Sequence, residues 1–438
     1  MLKGKLVGVI SLGCDKNRVD TEKMLAVVTE LHTLTSDLSS AQVAIINTCS
    51  FLESARKEAI EEILSLIELK NNNRLEKIIV TGCLPQKFIS EIENELVEVD
   101  AFLGVSDYSK INSVIDRIYK GERVVLISEP KNECLKKRVV TTSGYAYLKI
   151  ADGCSNFCTY CLIPKIRGKY RSIEEQSLIE EVKELGELDE LILVAQDVTR
   201  YGEDLTPKSS LPQLIRSLSA LDSVKGIRLF YCYPENITDE LIKELKNNSK
   251  MIKYLDIPFQ HADNRILKLM NRRGSREQYL SLIERLKKEV PGIAIRSTFI
   301  AGFPGETEEE FNSLVEFIKQ AKLNSVGFFA YSREEGTGAY KLPGQIKRGE
   351  KTRRVKKLYA VQKQVVKQLN KQMVGKVFSV VCEGFDNEQL LYYGRAYFNA
   401  PDIDAKVYFF IDQEVKVGER LNIKIKKVVG YDLFGEKE

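Results

Sequence analysis

In the first third of this chain, cysteine returns at one place in a repeating pattern. Cys14, Cys49 and Cys83 each stand just past a short apolar run, at residues 6–12, 43–47 and 77–81. Segments 21–31, 54–69 and 88–96 carry apolar residues at helical spacing. The cysteines are 35 and 34 residues apart, close to one strand–helix–strand unit. Strands alternating with helices predict a doubly wound parallel sheet over residues 3–120. Ligands of such sheets bind outside the carboxyl ends of the strands. Three neighbouring strands would then present three thiols at one rim. Free cysteine is also common as a small buried hydrophobe. Its recurrence at the same place in successive units favours a three-thiolate metal site.

A second triad is local. Cys154-Ser155-Asn156-Phe157-Cys158-Thr159-Tyr160-Cys161 has the spacing C-x3-C-x2-C, with no fourth cysteine near. Structural zinc sites prefer paired C-x2-C halves, and no second half follows. A disulfide set does not suit a long chain without a secretory signal. A [4Fe–4S] cluster normally takes four protein thiolates, so three leave one iron open. An open position is what a catalytic metal site keeps.

The bulk composition excludes little. The chain has 438 residues and a net charge of +4. That length allows about three domains. No apolar run reaches the ~18 residues of a membrane-spanning helix. Lys3, Lys5 and Ser11-Leu12-Gly13-Cys14 imitate a lipoprotein signal. The segment is shorter than the roughly 15–30 residues such a signal needs. Residues 6–10 read as a buried strand, and the expected compartment is the cytoplasm, where thiols stay reduced.

Residues 122–137 form a charged link. Over 140–370, strand candidates at 145–150, 190–194, 226–231, 254–257, 294–300 and 325–330 alternate with helices. That pattern predicts a partial (β/α)6 barrel with its chemistry at the strand C-termini. The second triad follows the first of these strands. Residues 341–371 hold eleven Lys or Arg against one acid, Glu350, with an apolar stripe of Val355, Leu358, Val365 and Leu369. Such a helix either packs on the barrel with a solvated basic face or contacts RNA or a ribosomal surface. From residue 372 to 438 the period changes to two, which predicts a small antiparallel β-barrel.

The three parts, in this order, resemble the radical S-adenosylmethionine methylthiotransferase family across nearly the whole chain. That family joins an N-terminal cluster domain, a radical S-adenosylmethionine barrel and a C-terminal TRAM domain. The resemblance implies two [4Fe–4S] clusters, one on Cys14, Cys49 and Cys83 and one on Cys154, Cys158 and Cys161. It also implies S-adenosylmethionine bound at the open iron of the second cluster. Ser11-Leu12-Gly13-Cys14-Asp15-Lys16-Asn17, the stretch from Tyr254 to His261, and Gly394-Arg395-Ala396-Tyr397 with Ala400-Pro401-Asp402-Ile403-Asp404 are similar to the family's ribosomal branch. Asp15 departs from the proline common there and leaves the cysteine itself untouched. That branch methylthiolates the β-carbon of an aspartate in small-subunit ribosomal protein uS12. It needs an external electron donor protein, whose identity the residues do not carry. The alternative is the same chemistry on a tRNA adenosine.

Residues 372–438 hold nine Lys or Arg and eleven Asp or Glu, a net of −2. A barrel that grips tRNA should be basic. An acidic one, with Asp402 and Asp404, suits a basic protein partner. Three further residues are candidates for cofactor binding. Tyr160 resembles the family's aromatic near the adenine. Gln196, beside Asp197, follows a strand. Gly302, in Phe299-Ile300-Ala301-Gly302-Phe303-Pro304-Gly305-Glu306, would let backbone approach the cofactor. His261 reads as a hydrogen-bonded structural residue. Cys134, Cys232 and Cys382 lack spaced partners.

Overall fold

The computed structural model describes residues 2–132, 135 and 137–438, so Cys134 lies outside the described residues. The first domain runs β1 (Leu6–Ser11), α1 (Asp15–Thr29), β2 (Thr33–Thr35), β3 (Val43–Thr48), α2 (Glu53–Asn71), β4 (Lys77–Gly82), α3 (Cys83–Ile92), β5 (Ala101–Leu103), α4 (Ile111–Tyr119) and β6 (Val124–Leu126). The strands order as β2-β1-β3-β4-β5-β6, and every pair is parallel. The winding reverses between β1 and β3, so the switch-point crevice opens past their carboxyl ends. Cys14 and Cys49 follow those two strands. Three strands of three residues each were not legible in the sequence, and β6 falls inside the charged link.

Two helices begin earlier than their apolar pattern. α1 starts at Asp15 because its buried face is polar: Lys16, Asn17, Asp20, Glu22 and Lys23 are all buried. Apolar periodicity cannot report a face that packs by charge. α3 starts at Cys83, with Pro85 in its first turn and a kink at Phe88. Proline is tolerated in a first turn because no intrahelical N–H is lost there.

The second domain has β7 (Tyr145–Lys149), a two-stranded ribbon of β8 (Ala151–Asp152) and β9 (Arg171–Ser172), then β10 (Glu190–Val194), β11 (Ile227–Leu229), β12 (Met251–Asp256), β13 (Ala294–Ala301) and β14 (Ser325–Ala330). Apart from the ribbon, the six strands form one open parallel sheet, β14-β13-β12-β11-β10-β7. It is the partial barrel the sequence predicts. The ribbon pairs Asp152 with Arg171 and so closes the base of the cysteine loop.

The basic helix, Arg348–Lys371, packs on the barrel. It buries Leu358, Val365 and Val366, Gln362 donates to Leu323 O, and Arg354 pairs with Glu306 at 2.8 Å. Lys356, Lys357, Lys363 and Lys367 remain exposed. The terminal domain is a closed barrel of β15 (Val377–Asp386), β16 (Leu391–Arg395), β17 (Val407–Phe410), β18 (Arg420–Val429) and β19 (Asp432–Lys437), in the order β15-β16-β17-β19-β18. Its β17–β19 pair is parallel and the other pairs are antiparallel.

The terminal barrel packs directly on the strands of the larger barrel. Ala396, Phe398 and Ala400 share one core with Tyr145, Ile192, Phe230 and Tyr254. Glu190 pairs with both Arg228 and Arg395. Asp404 accepts from Tyr254 Oη at 2.7 Å, Ser325 Oγ at 2.5 Å and the Ala400 amide at 2.8 Å. Asp402 accepts from Arg18 at 3.2 Å and Tyr145 Oη at 3.1 Å. Of the two carboxylates that the charge count assigns to a basic partner, Asp404 is buried in this joint, while Asp402 joins the domains from a largely exposed position. The expected cost of Asp404→Ala is about 3 kcal/mol, because it leaves buried polar partners unpaired. A lower urea midpoint in equilibrium unfolding is the measurement.

Candidate metal centres

Each thiol of the first triad stands at or near the start of a helix. Cys14 is the residue before α1, Cys49 lies in the turn leading to α2, and Cys83 is the first residue of α3. Helix amino termini present unpaired N–H groups and partial positive charge, which suits an anionic centre. Gly13 adopts φ +92°, and a Cβ there would stand 2.6 Å from Cys49 Cβ. Only glycine lets the Cys14 and Cys49 loops come this close. Asn17 ties the same loops together by donating to Leu12 O at 3.1 Å and Thr48 O at 3.0 Å. Cys14 is exposed, Cys49 half-buried and Cys83 buried. Burial pushes the Cys83 thiol up to about 12, with Cys49 and Cys14 adding to the rise and Arg167 opposing it.

The second triad occupies the loop between β8 and β9. Its amides and neighbours already donate to sulfur: Asn156 N to Cys154 Sγ at 3.5 Å and Ile163 N to Cys161 Sγ at 3.4 Å. Tyr233 Oη lies 3.7 Å from Cys158 Sγ. Asn271 clamps the loop by donating to the carbonyls of Asn156 and Phe157. Burial, with Cys158 adding, pushes the Cys154 thiol up to about 11, and burial also raises Cys161.

The two triads meet across one seam. Tyr231 Oη donates to Asp15, next to Cys14, at 3.0 Å, while Tyr233 touches Cys158. Leu162, next to Cys161, packs with Cys83, Val105 and Ile166. Arg167, only 1% exposed, pairs with Asp20 at 3.0 Å and Asp152 at 2.9 Å. Lys149 pairs with the same two carboxylates. Burial alone would raise the Asp152 carboxyl, but Arg167 and Lys149 outweigh it and hold it well below the usual range. On the far side, the buried Glu334 accepts from Arg56 at 2.6 Å and from the Glu53 amide at 2.9 Å. The first domain is thus held to the carboxyl-terminal mouth of the larger barrel at both β7 and β14.

The donor sets fit iron–sulfur clusters. All eight described cysteines are free thiols. Among the described residues, no three His, Cys, Asp or Glu converge closely enough to hold one ion. A single zinc draws its four ligands onto one centre, whereas a cubane spreads its thiolates over separate irons. Soft sulfur donors, N–H groups aimed at sulfur and free neighbouring thiols suit the larger body.

Comparison with known proteins agrees along the whole length. Residues 148–318 match the Radical SAM superfamily, residues 6–104 match Uncharacterized protein family UPF0004, and residues 374–437 match the TRAM domain. The chain is 44% identical to ribosomal protein uS12 methylthiotransferase RimO of Thermoanaerobacter sp., over 99% of this chain and 100% of the relative. The same enzyme of Acetivibrio thermocellus is 46% identical, over 99% and 98%.

The chain belongs to the RimO family of uS12 methylthiotransferases.

It is therefore a radical S-adenosylmethionine enzyme whose family uses that cofactor and iron–sulfur clusters. Among solved structures, it shares its fold with the radical S-adenosylmethionine methyltransferase TsrM of Kitasatospora setae. The TM-score is 0.55 at 13% identity, over 86% of this chain and 81% of that one. The cobalamin-dependent radical enzyme OxsB gives 0.52 at 12% identity, over 82% and 57%.

Within this RimO-family site, the remaining candidates fall at different distances from the cysteines. Tyr160 is half-buried against the cluster of Ile266, Met270, Phe303 and Tyr331. Gln196 donates to Asp152 at 3.1 Å and keeps a buried, unpartnered Oε1. Asp197 is fully engaged as a cap, accepting from Thr199 and Asn156. Gly302 adopts φ +76°, its amide donates to Glu306 at 2.6 Å, and the stem of Lys351 fills the space beside its α-carbon. The close approach its glycine allows is therefore that of Lys351. His261 Nδ1 accepts from the Asp263 amide at 3.0 Å, as a structural residue would. Cys232 is buried in the core of the larger barrel and Cys382 in the terminal barrel.

Sequence reasoning missed Asp20, Lys149, Asp152, Arg167, Tyr233 and Arg272. Arg272 stacks 3.7 Å over the Tyr233 ring. No motif flags six single residues drawn from separate places along the chain. In metal-free protein at pH 8, iodoacetamide should modify the exposed Cys14 far faster than Cys83, whose thiol is buried and raised. Reconstitution with iron and sulfide should protect both triads. Peptide mass mapping reads each outcome.

Proposed function

We propose that this enzyme adds a methylthio group to the β-carbon of an aspartate in ribosomal protein uS12, in the cytoplasm. Cys154, Cys158 and Cys161 hold the cluster that engages S-adenosylmethionine, and Cys14, Cys49 and Cys83 hold the second. The observation that carries this reading is the meeting of the two triads at Tyr231, Tyr233 and Arg167. The full-length match to uS12 methylthiotransferases supports the choice of substrate.

The β C–H bond of an aspartate is too weakly acidic for a side-chain base. When bound, the clusters and S-adenosylmethionine supply one-electron chemistry and the sulfur group. The chain supplies placement and a dry site. Asn271 fixes the loop that carries the second triad. The Arg272 guanidinium, stacked on Tyr233, places a buried positive charge beside Cys158. Gln196 Oε1 offers an acceptor from the residue bonded to Asp152, and Tyr160, next to Cys161, lies half-buried against an apolar cluster.

Intact mass spectrometry of small-subunit proteins, with and without the gene, tests the reading. Wild-type uS12 should be heavier by one methylthio group in place of hydrogen. Cys14→Ala and Cys158→Ala should each return it to the unmodified mass. Unmodified uS12 in wild-type cells, with a methylthiolated adenosine in tRNA that disappears on deletion, would move the assignment to the tRNA reaction.

A further inference from the structure

We propose that Arg167 is a positioning residue for the first triad. Its guanidinium donates to the Cys83 thiolate from the loop that carries the second triad, and so sets the electronic state of the N-terminal centre. The proposal rests on the reading that both triads carry clusters.

The guanidinium divides its donors between two tasks. Nη1 pairs with Asp20 and Asp152. Nη2 turns the other way, to Asn17 Oδ1 at 2.7 Å and Cys83 Sγ at 3.8 Å. Asn17 in turn donates to Leu12 O and Thr48 O, which lead directly into Cys14 and Cys49. One side chain thus reaches, directly or through Asn17, the loops of all three thiols. Arg167 also follows Cys161 by six residues, across the single-turn helix Ile163–Ile166. Any shift of the second triad's loop therefore moves the donor that faces the first.

A purely structural ion pair would not need this arrangement. Asp20 and Asp152 already have Lys149 as a second cation. The Nη2 edge faces the thiol side instead, and only a planar fork can serve carboxylates on one edge and sulfur on the other. A lysine ammonium is a compact point charge without that division. Positive charge and N–H donors at cluster sulfurs favour the more negative, reduced state and so raise the reduction potential.

Redox titration of reconstituted full-length protein is the test, in two backgrounds. One carries Cys154→Ala, Cys158→Ala and Cys161→Ala, leaving the N-terminal centre alone. The other carries Cys14→Ala, Cys49→Ala and Cys83→Ala. In the first background, Arg167→Lys should bind iron and shift the midpoint potential downward, and Arg167→Gln should shift it further. The second background should show a smaller shift. If Arg167→Gln fails to fold, Arg167→Lys, which keeps its carboxylate partners, decides the matter. Unchanged potentials in iron-loaded variants would overturn the proposal. So would equal loss of iron from both backgrounds with a lowered urea midpoint, which would make Arg167 a strut. A first background that binds no iron would overturn the two-cluster reading as well. Absence of methylthio-uS12 in wild type would defeat the substrate assignment while leaving the potential shift standing.

Discussion

Two arginine and lysine cations and two aspartates, all buried where the first two domains meet, carry the organisation of this enzyme. Arg167 and Lys149 come from the larger barrel and Asp20 from α1, while Asp152 lies between them on β8. Taking four charges out of water costs several kcal/mol per ion before any attraction is counted. Such a set persists only where every partner is held in place, so it specifies one relative placement of the domains. A greasy interface of the same area would tolerate sliding. Here a slide of a few ångströms would strand a buried charge. Cys14 precedes the helix that carries Asp20, and the second triad shares its loop with Arg167, so these charges tie the two triads' loops together.

The other seams follow the same principle at lower charge density. Arg138 approaches Glu181 at 3.2 Å, and Lys23 pairs with Glu181 at 2.8 Å, where the interdomain chain crosses α1. Asp404, Glu190, Arg228 and Arg395 lock the terminal barrel to the larger one. The terminal barrel therefore packs on the larger barrel and touches the first domain through Arg18, while the first domain covers the carboxyl-terminal mouth. The chemistry of a strand–helix barrel belongs at the carboxyl ends of its strands. That is the end at which the six cysteines gather.

Much of this was legible in the residues themselves. The six barrel strands overlap the apolar runs that mark them, because buried parallel strands such as β7 and β10 read as continuous apolar stretches. The cysteine triads were legible because residue type and spacing can be read directly along the chain. What escaped has a common cause. α1 begins six residues before its apolar pattern because its first turns bury Lys16, Asn17 and Asp20. The three-residue strands β2, β5 and β6 are too short to show a period. Asp402 and Asp404 counted as surface acidity, yet Asp404 is 2% exposed at its side chain. A charge count cannot tell a solvated carboxylate from a paired one.

By itself, the sequence determined the three-domain order, the two cysteine triads and the family, because these depend on local spacing and on motifs read along the chain. Only the tertiary structure decided that both triads open on one seam, that Arg167 stands between them, and that Asp404 of the terminal barrel serves as a fastening. These depend on charges far apart in sequence finding one another in a region without water. There a buried ion must be paired, and the pairing is chosen by three-dimensional position and not by any periodicity along the chain.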